Sequence, residues 1–290
     1  LARIADDRTV ATALPDNALY RRLIAPLAIA ALNTAPADGL ARLLGAVVRE
    51  SLLAGGAACR PLLPRHSLAA SFIDPAVAAL RARGADVRFG HRIAALSLAQ
   101  GRVTGLHGAD GPIPLGPADA VVLAVPPWVA TGLLPGLIVP DAFEAILNLH
   151  YAIDAAPGPA GFIGLIGGTA EWVFVKPGHV SVTISAASPL VDRPAEALAA
   201  LVWPEVRAAL DLPAPPPGSA PEAKLPPFRV VKEKRATFTA TAEQDRRRPG
   251  PRTDLANLVL AGDWTATGLP ATIEGAIRSG NRASALLLHS

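Results

Sequence analysis

The chain has 290 residues, of which 51% are hydrophobic and 18% are charged, and its formal net charge is +3. A chain of this length has room for about two domains and can bury a large core, which excludes a short peptide factor. The 29 prolines and 25 glycines fall below the share of about 25–30% that marks low-complexity chains, which argues against disorder. The small positive charge is scattered and gives no reason to predict nucleic-acid binding.

Cys59 is the single cysteine, which excludes an internal disulfide framework and a cysteine-rich metal centre. The histidines show no metal-ligand spacing, so we predict no metal site. The chain begins with Leu1 and contains no methionine, and we expect it to be the C-terminal part of a longer protein. No secretory signal opens the sequence, and cytoplasmic residence is therefore the default expectation.

The first third of the chain is predicted to be helical. Asn17–Asn33 has helical composition, but Pro26 in its middle should kink or split the helix. Asp38–Ala54 shows clean helical spacing of its apolar residues. A third helix is predicted with Asp74 as its N-cap and Gly84 at its end.

After Gly84 the apolar period changes to two, which is typical of strands. The predicted strands are Val87–Phe89, Ile93–Leu96, Val103–Leu106, Val121–Val125, Leu149–Ile153, Phe162–Ile166, Trp172–Val175, Val180–Ser185 and Val230–Phe238. The continuous apolar run Val121–Val125 is typical of a strand that is buried on both faces. We also predict a helix from Asp192 to about Leu210 and a surface connection over Pro213–Pro227.

Two segments invite other interpretations. Ala120–Pro140 carries no charge over a length that could cross a bilayer, but its four prolines exclude a membrane-spanning helix. The run Arg246–Arg248 is predicted to be a solvated loop, with binding of phosphate or lipid headgroups as a weaker alternative.

The C-terminal segment has the pattern of a strand, a turn and a helix. The apolar run Leu258–Ala261 meets Gly262, which allows a sharp turn, and Asp263, which places a carboxylate at the strand end. Pro270 is suited to the first helical turn. The following residues, 271–273, would then expose unpaired N–H groups at a positive helix terminus, which attracts negative charge.

The same segment carries a family resemblance. Gly262–Asp263 is followed by Gly268–Ala276 and by Ser279–Gly280. This string resembles the C-terminal flavin-contacting motif of the amine oxidase and phytoene desaturase superfamily. Within it, the chain is most similar to the hydroxysqualene dehydroxylases, or squalene-associated FAD-dependent desaturases. The similarity extends over most of the chain through Leu32–Thr34, Leu62–Arg65, Arg83–Ala85, Val121–Pro127 and Lys234–Thr237.

The resemblance implies that the protein binds FAD. Asp263 would contact the ribityl or pyrophosphate part, and the backbone N–H groups of Thr272 and Ile273 would face the pyrimidine end of the flavin. Trp264 would lie near the isoalloxazine, although a buried core tryptophan is an equal alternative. The implied cofactor-binding residues are Gly262, Asp263, Trp264, Gly268, Leu269, Pro270, Ala271, Thr272, Ile273, Ile93, which would face the adenine, and Pro126.

The implied fold class is mixed α/β (α+β), the two-domain FAD-linked fold of the amine oxidases, incomplete at its N-terminus. Residues 66–128 and 252–290 would form a discontinuous, partial FAD-binding domain, and residues 1–65 and 129–251 would form the substrate-binding domain. The superfamily holds the ADP half of FAD on a G-x-G-x-x-G turn in a βαβ unit. This string is absent from the chain, and we expect the unit to lie upstream of Leu1.

The resemblance further implies an oxidoreductase of squalene and hopanoid biosynthesis, in which hydroxysqualene loses its hydroxyl and reduced flavin supplies hydride to give squalene. The alternatives are a carotenoid (phytoene) desaturase or amine oxidase of the same superfamily, and a non-catalytic isoprenoid-binding domain. An apolar isoprenoid substrate makes peripheral contact with the inner face of the membrane a reasonable expectation. The catalytic residues stay unidentified, and the candidates for assisting departure of the hydroxyl are His150, Glu171, Lys234 and Glu274.

Overall fold

The computed structural model describes residues 7–64, 66–213 and 225–288. Its α-helices are α1 (Val10–Ala13), α2 (Ala25–Leu32), α3 (Ala41–Glu50), α4 (Asp74–Ala82), α5 (Pro127–Leu133), α6 (Ala195–Ala209), α7 (Ala242–Arg246) and α8 (Ile273–Leu288). Its strands are β1 (Ile93–Ala99), β2 (Arg102–Gly108), β3 (Gly111–Pro114), β4 (Val121–Leu123), β5 (Phe143–Tyr151), β6 (Phe162–Gly164), β7 (Trp172–Lys176), β8 (His179–Ile184), β9 (Phe228–Phe238) and β10 (Leu258–Leu260).

The described strands form three sheets. The first is antiparallel with the order β1-β2-β3, and the third is antiparallel with the order β6-β7-β8-β5-β9. The second is a parallel pair of β4 and β10, in which Val121 is opposite Leu258 and Leu123 is opposite Leu260. Because β4 and β10 run in the same direction, the segments that leave their carboxyl ends start at the same edge, where open α/β sheets bind ligands.

Two hydrophobic cores hold these elements together. The first joins the N-terminal helices to the parallel pair, and its buried members include Leu32, Leu44, Leu123, Leu260 and Trp264. The second packs one face of the five-stranded sheet against α6, and its members include Leu147, Leu149, Tyr151, Val182 and Leu198. Burial of this apolar surface supplies the main driving force for the arrangement.

Asn257 fixes the start of β10 against the first sheet. Its side chain is buried; Oδ1 accepts from the N–H of Val103 at 2.8 Å, and Nδ2 donates to the carbonyl oxygens of Val103 at 2.9 Å and Asp119 at 3.1 Å. A buried side-chain amide is tolerated when its hydrogen-bonding groups are satisfied in this way. The turn that follows β10 therefore leaves from a fixed position.

The predicted N-terminal helices are present, with corrections at their starts. The first is split as predicted: a π-helical turn, Tyr20–Ile24, leads into α2, which has Pro26 in its first turn. The second, predicted from Asp38, begins at Ala41 in α3. The prediction that Asp74 is an N-cap was wrong, because a π-helical turn, Ala69–Ile73, continues directly into α4.

The strand predictions are confirmed for most elements and wrong in four respects. Val87–Phe89 forms no strand among the described residues. β3 was missed, and β5 begins at Phe143, before the predicted start. The prediction that Val121–Val125 is buried on both faces was also wrong: β4 has β10 as its neighbour in the described chain, and Val122 is 44% exposed.

The uncharged segment Ala120–Pro140 divides into β4 and the short helix α5, as its prolines predicted. In the part of the chain that the structure describes, no helix has both the length and the apolar character needed to span a bilayer. The connection predicted over Pro213–Pro227 lies mostly outside the described residues, which omit 214–224.

Candidate functional site

A cavity of about 550 Å³ lies where the parallel pair meets the five-stranded sheet. One wall consists of the segments that follow β4 and β10, residues 124–128 and 262–264, and the opposite wall is formed by β9 together with Phe143 of β5. Trp128, Phe143 and Phe238 make much of this lining apolar. A cavity of this size and character is typical of sites for small molecules and cofactors.

The turn after β10 is fixed by three hydrogen bonds. The N–H of Gly262 donates to Ser279 Oγ of α8 at 3.0 Å, and Thr265 Oγ1 lies 2.7 Å from the same Ser279 oxygen. Trp264 is 2% exposed, and its Nε1–H donates to the carbonyl oxygen of Val125 at 2.9 Å. Trp264 is therefore a core residue that also forms part of the cavity wall.

Helix α8 begins at Ile273, so the prediction that Pro270 lies in its first turn was wrong. Thr272 precedes the helix, and its Oγ1 accepts from the N–H of Gly275 at 3.0 Å, as an N-cap side chain does. Within the described residues the N–H groups of Ile273 and Glu274 have no acceptor. These donors at the positive end of the helix are available to a negatively charged or electron-rich group.

Asp263 places a half-buried carboxyl group in the cavity wall. Burial raises the pKa of Asp263, and this effect is opposed by the charge of Arg248 and by the N–H of Trp264, which donates to the carboxylate. The group is therefore an acceptor in partly water-excluded surroundings, where hydrogen bonds to a ligand are strengthened.

The structure brings together part of the predicted set. Pro126, Gly262, Asp263 and Trp264 line the cavity. Residues 268–273 form the approach to α8 and its first residue, beside the cavity rather than in its lining. Ile93 starts β1, where it pairs with Gly108, and is not part of this lining.

Sequence reasoning missed the wall contributed by β9. Glu233, Arg235 and Thr237 lie at alternate positions of this strand, and all three line the cavity. The guanidinium of Arg235 lies 5.0 Å from the ring centre of Trp128, within the range of a cation–π interaction. Ala236 and Phe238 of the same strand also line the cavity, so simple strand alternation does not identify this wall.

Asn33 supports this wall from the end of α2. Its backbone is left-handed, with φ of 48°, and its Nδ2 donates to Thr237 Oγ1 at 3.0 Å and to the carbonyl oxygen of Glu144 at 3.3 Å. Its Oδ1 accepts from the N–H of Ala186 at 2.7 Å. Leu32–Thr34, one of the segments that carry the family resemblance, therefore positions Thr237 in the cavity wall.

None of the four candidates for assisting loss of a hydroxyl lines the cavity, although the structure describes all four. His150 hydrogen-bonds Ser181, and burial lowers the pKa of its imidazole. Glu171 accepts from the N–H of Ser185, and burial raises its pKa. The other two are in ion pairs, Lys234 with Asp192 and Glu274 with Arg278.

The prediction of a solvated loop at Arg246–Arg248 was wrong for its first and last residues, because Arg246 ends α7 and Arg248 is buried. Arg246 and Arg247 are ion-paired near the surface with Asp7 and Asp141. Arg248 is buried, with a side chain 1% exposed, and pairs with Asp245. Each guanidinium has a carboxylate partner in the fold, which leaves no unpaired basic patch at this run.

Two relatives that match most of the chain are both named hydroxysqualene dehydroxylase. It is 53% identical over 271 residues to the hydroxysqualene dehydroxylase of Rhodopseudomonas palustris, covering 93% of this chain and 63% of that protein. It is 48% identical to the hydroxysqualene dehydroxylase of Sinorhizobium fredii, covering 97% of this chain and 66% of that protein. The chain thus spans a little under two thirds of the length of these two relatives.

Solved structures show the same fold at low sequence identity. A triple mutant of putrescine oxidase is 14% identical with a TM-score of 0.66, covering 98% of this chain and 68% of that chain. Cyclohexylamine oxidase from Brevibacterium oxydans is also 14% identical, with a TM-score of 0.61 and the same coverage. The predicted fold class is therefore confirmed. The sequence profile described as "Flavin containing amine oxidoreductase" matches residues 4–153 and 174–288, and the chain therefore belongs to this family.

Proposed function

We propose that the full-length protein is an FAD-dependent hydroxysqualene dehydroxylase that reduces hydroxysqualene to squalene, as a step toward hopanoids. The observation that carries the proposal is the 53% identity to a protein of that name over 93% of this chain. The cavity supports it, because the residues in its wall are suited to a flavin and an apolar substrate.

The residues present fit a flavin in two respects. The carboxylate of Asp263 and the N–H groups of Ile273 and Glu274, which have no acceptor among the described residues, provide an acceptor for sugar-like hydroxyls and donors for an electron-rich ring. Gly262 allows the indole of Trp264 to pack directly against the backbone of the turn, since a Cβ there would lie 2.5 Å from Nε1 of Trp264. We propose that Gly262, Asp263, Trp264 and Pro126 hold the cofactor, with residues 268–273 beside it.

We propose that the FAD-binding domain comprises residues 66–128 and 252–290, and the substrate-binding domain residues 1–65 and 129–251. A G-x-G-x-x-G unit in the part of the full-length protein outside this chain would complete the first domain. Exposed apolar side chains on that domain support this division, because they offer a packing surface: Phe72 is 50%, Phe89 71% and Val122 44% exposed.

The chemistry divides between cofactor and protein. Reduced FAD, when bound, supplies the hydride that takes the place of the hydroxyl, which leaves as water once it has gained a proton. Trp128, Phe143 and Phe238 exclude water from the reacting end of an apolar substrate. We propose that Glu233, an exposed carboxyl group of β9 that lines the cavity, donates the proton or a hydrogen bond to the departing hydroxyl.

We expect Glu233→Gln in the full-length protein to lower turnover of hydroxysqualene by about tenfold, the effect of losing one strong hydrogen bond in the transition state. Lys234→Met is the matched control, because Lys234 is the next residue of β9 but pairs with exposed Asp192. Both rates would be measured at saturating substrate with chemically reduced flavin. Equal turnover of the Glu233 variant and the wild type would show that the proton comes from elsewhere.

Substrate choice separates the rival functions. Full-length protein would be incubated with hydroxysqualene, with phytoene and with a primary amine, and the products identified by mass spectrometry. We expect conversion of hydroxysqualene with flavin oxidation; turnover of phytoene or the amine alone would overturn the proposal. A protein that purifies colourless and binds no added FAD would instead be a non-catalytic isoprenoid-binding domain.

We also propose that the protein contacts the membrane peripherally, because its proposed substrate dissolves in bilayers. The run Arg246–Arg248 is a poor contact site, since all three residues are paired within the fold. Sedimentation of the full-length protein with phospholipid vesicles is expected, and its recovery in the supernatant at physiological salt would contradict this.

A further inference from the structure

Arg248 differs from the two arginines before it. The side chains of Arg246 and Arg247 are 60% and 35% exposed, whereas that of Arg248 is 1% exposed. Arginine is among the residues least often buried, because desolvation of a fixed charge is costly unless partners compensate. The hydrogen-bond partners of Arg248 therefore indicate which part of the structure its buried side chain stabilises.

The guanidinium of Arg248 binds the turn that forms the cavity wall. Its Nη2 donates to the carbonyl oxygens of Asp263 at 3.1 Å and Thr265 at 2.5 Å, and to Thr267 Oγ1 at 3.0 Å. Its Nη1 donates to Asp245 in α7 at 2.8 Å. The planar, rigid guanidinium of Arg248 thus connects three residues of the turn, at positions 263, 265 and 267, to helix α7.

Asp245 extends this link to the N-terminal helices. Its other carboxylate oxygen pairs with Arg42 of α3 at 2.6 Å. The side chains of Arg248 and Asp245 are 1% and 9% exposed, so their ion pair is shielded from water and retains more strength than surface pairs do, whereas Arg42 is 32% exposed. The turn is therefore braced against both α7 and α3.

Arg248 also lies directly behind the cavity. Its guanidinium carbon is 4.9 Å from the ring centre of Phe238, and Phe238 lines the cavity. A cation separated from the cavity by one apolar ring favours negative charge there, because the intervening medium screens it weakly. FAD carries negative charge on its pyrophosphate and gains electron density on the ring when it is reduced.

We infer that Arg248 is a positioning residue for the flavin site: it holds the carbonyls of Asp263 and Thr265 so that the Asp263 carboxylate faces the cavity, and its charge favours the reduced flavin. The inference rests on the proposed flavin site. Arg246 and Arg247 do not share this role, because they pair with Asp7 and Asp141 near the surface.

The test compares Arg248→Lys and Arg248→Met with Arg246→Gln and Arg247→Gln in the full-length protein. Lysine keeps the charge but loses the planar fork, so we expect the Kd for FAD to rise about tenfold while the flavin midpoint potential stays near the wild-type value. Methionine should weaken FAD binding further and shift the potential to more negative values. The two control variants should match the wild type in both measurements.

A purely structural role would lower stability in both Arg248 variants without a charge-dependent shift in potential, and that result would overturn the inference. Equal Kd values for wild type and Arg248→Lys, or an equal loss in Arg246→Gln, would overturn it as well. If Arg248→Met does not fold, Thr267→Val removes one acceptor of the same guanidinium, and weaker FAD binding at an unchanged potential is expected. Failure of the wild type to bind FAD would overturn the proposed function itself.

Discussion

Replacing Asp263 by Asn in the full-length protein is expected to weaken FAD binding by about a hundredfold, because hydrogen bonds to a charged acceptor contribute about 1.5–3 kcal/mol each. The carboxylate lies in the cavity wall, where it can accept from cofactor hydroxyls, and an amide offers a weaker acceptor. The measurement is a titration of cofactor-free protein with FAD, followed by flavin fluorescence. Asp254→Asn is the matched control, since Asp254 is an exposed carboxyl just before β10.

The same substitution should stabilise the cofactor-free protein. Burial raises the pKa of Asp263, so the folded chain binds a proton more tightly than the unfolded chain does. The stability of the wild type therefore falls as pH rises from the ordinary aspartate pKa through the raised one, and at neutral pH the ionised group lowers the free energy of unfolding. Urea unfolding of wild type and variant at pH 4 and pH 8 should show the gap widening at pH 8. A variant that is less stable at both pH values would contradict this account.

Gly262→Ala is expected to lower the free energy of unfolding by about 2–5 kcal/mol, the combined effect of backbone strain and overpacking. The backbone of Gly262 has φ of 143°, and an added Cβ would lie 2.5 Å from Nε1 and 2.8 Å from Cδ1 of Trp264. The indole cannot yield easily, because it is buried and bonded to the carbonyl oxygen of Val125. The contact between the segments after β4 and β10 should therefore be lost.

Gly268→Ala supplies the matched control for that experiment. Gly268 also has a positive φ, 84°, but a Cβ there meets no atom within 4 Å. We expect a loss of about 1 kcal/mol, which reports the backbone conformation alone. Chemical denaturation of both variants separates the two effects, and equal losses would show that the packing against Trp264 is not decisive.

The C-terminal part of the site could be predicted because its signals are local. A short apolar strand, Gly262, a carboxylate and a helix follow one another in the chain, and the structure contains this strand, turn and helix. The start of α8 was predicted too early, at Pro270, because the sequence did not show that Thr272 provides the N-cap. Helix boundaries depend on such single contacts.

The opposite wall could not be predicted because its signals are not local. Strict period two would place Glu233 and Lys234 on different faces of β9, but the pairing of β9 with β5 is irregular between Glu144 and Ile146, and residues 235–238 all line the cavity. Arg248 was misjudged for the same reason. A run of three arginines is usually solvated, and its burial depends on the carbonyls of a turn that the sequence alone does not bring near.

The parallel pairing of β4 with β10 also constrains the order in which parts of the protein can fold. Trp264 and Val125, which join the two halves of the cavity wall, are 139 residues apart. A nascent chain on the ribosome therefore completes β5 to β9 before the two halves can meet, and contacts of such long range form slowly. The strands of the five-stranded sheet can therefore pair before the segment around Trp264 reaches Val125.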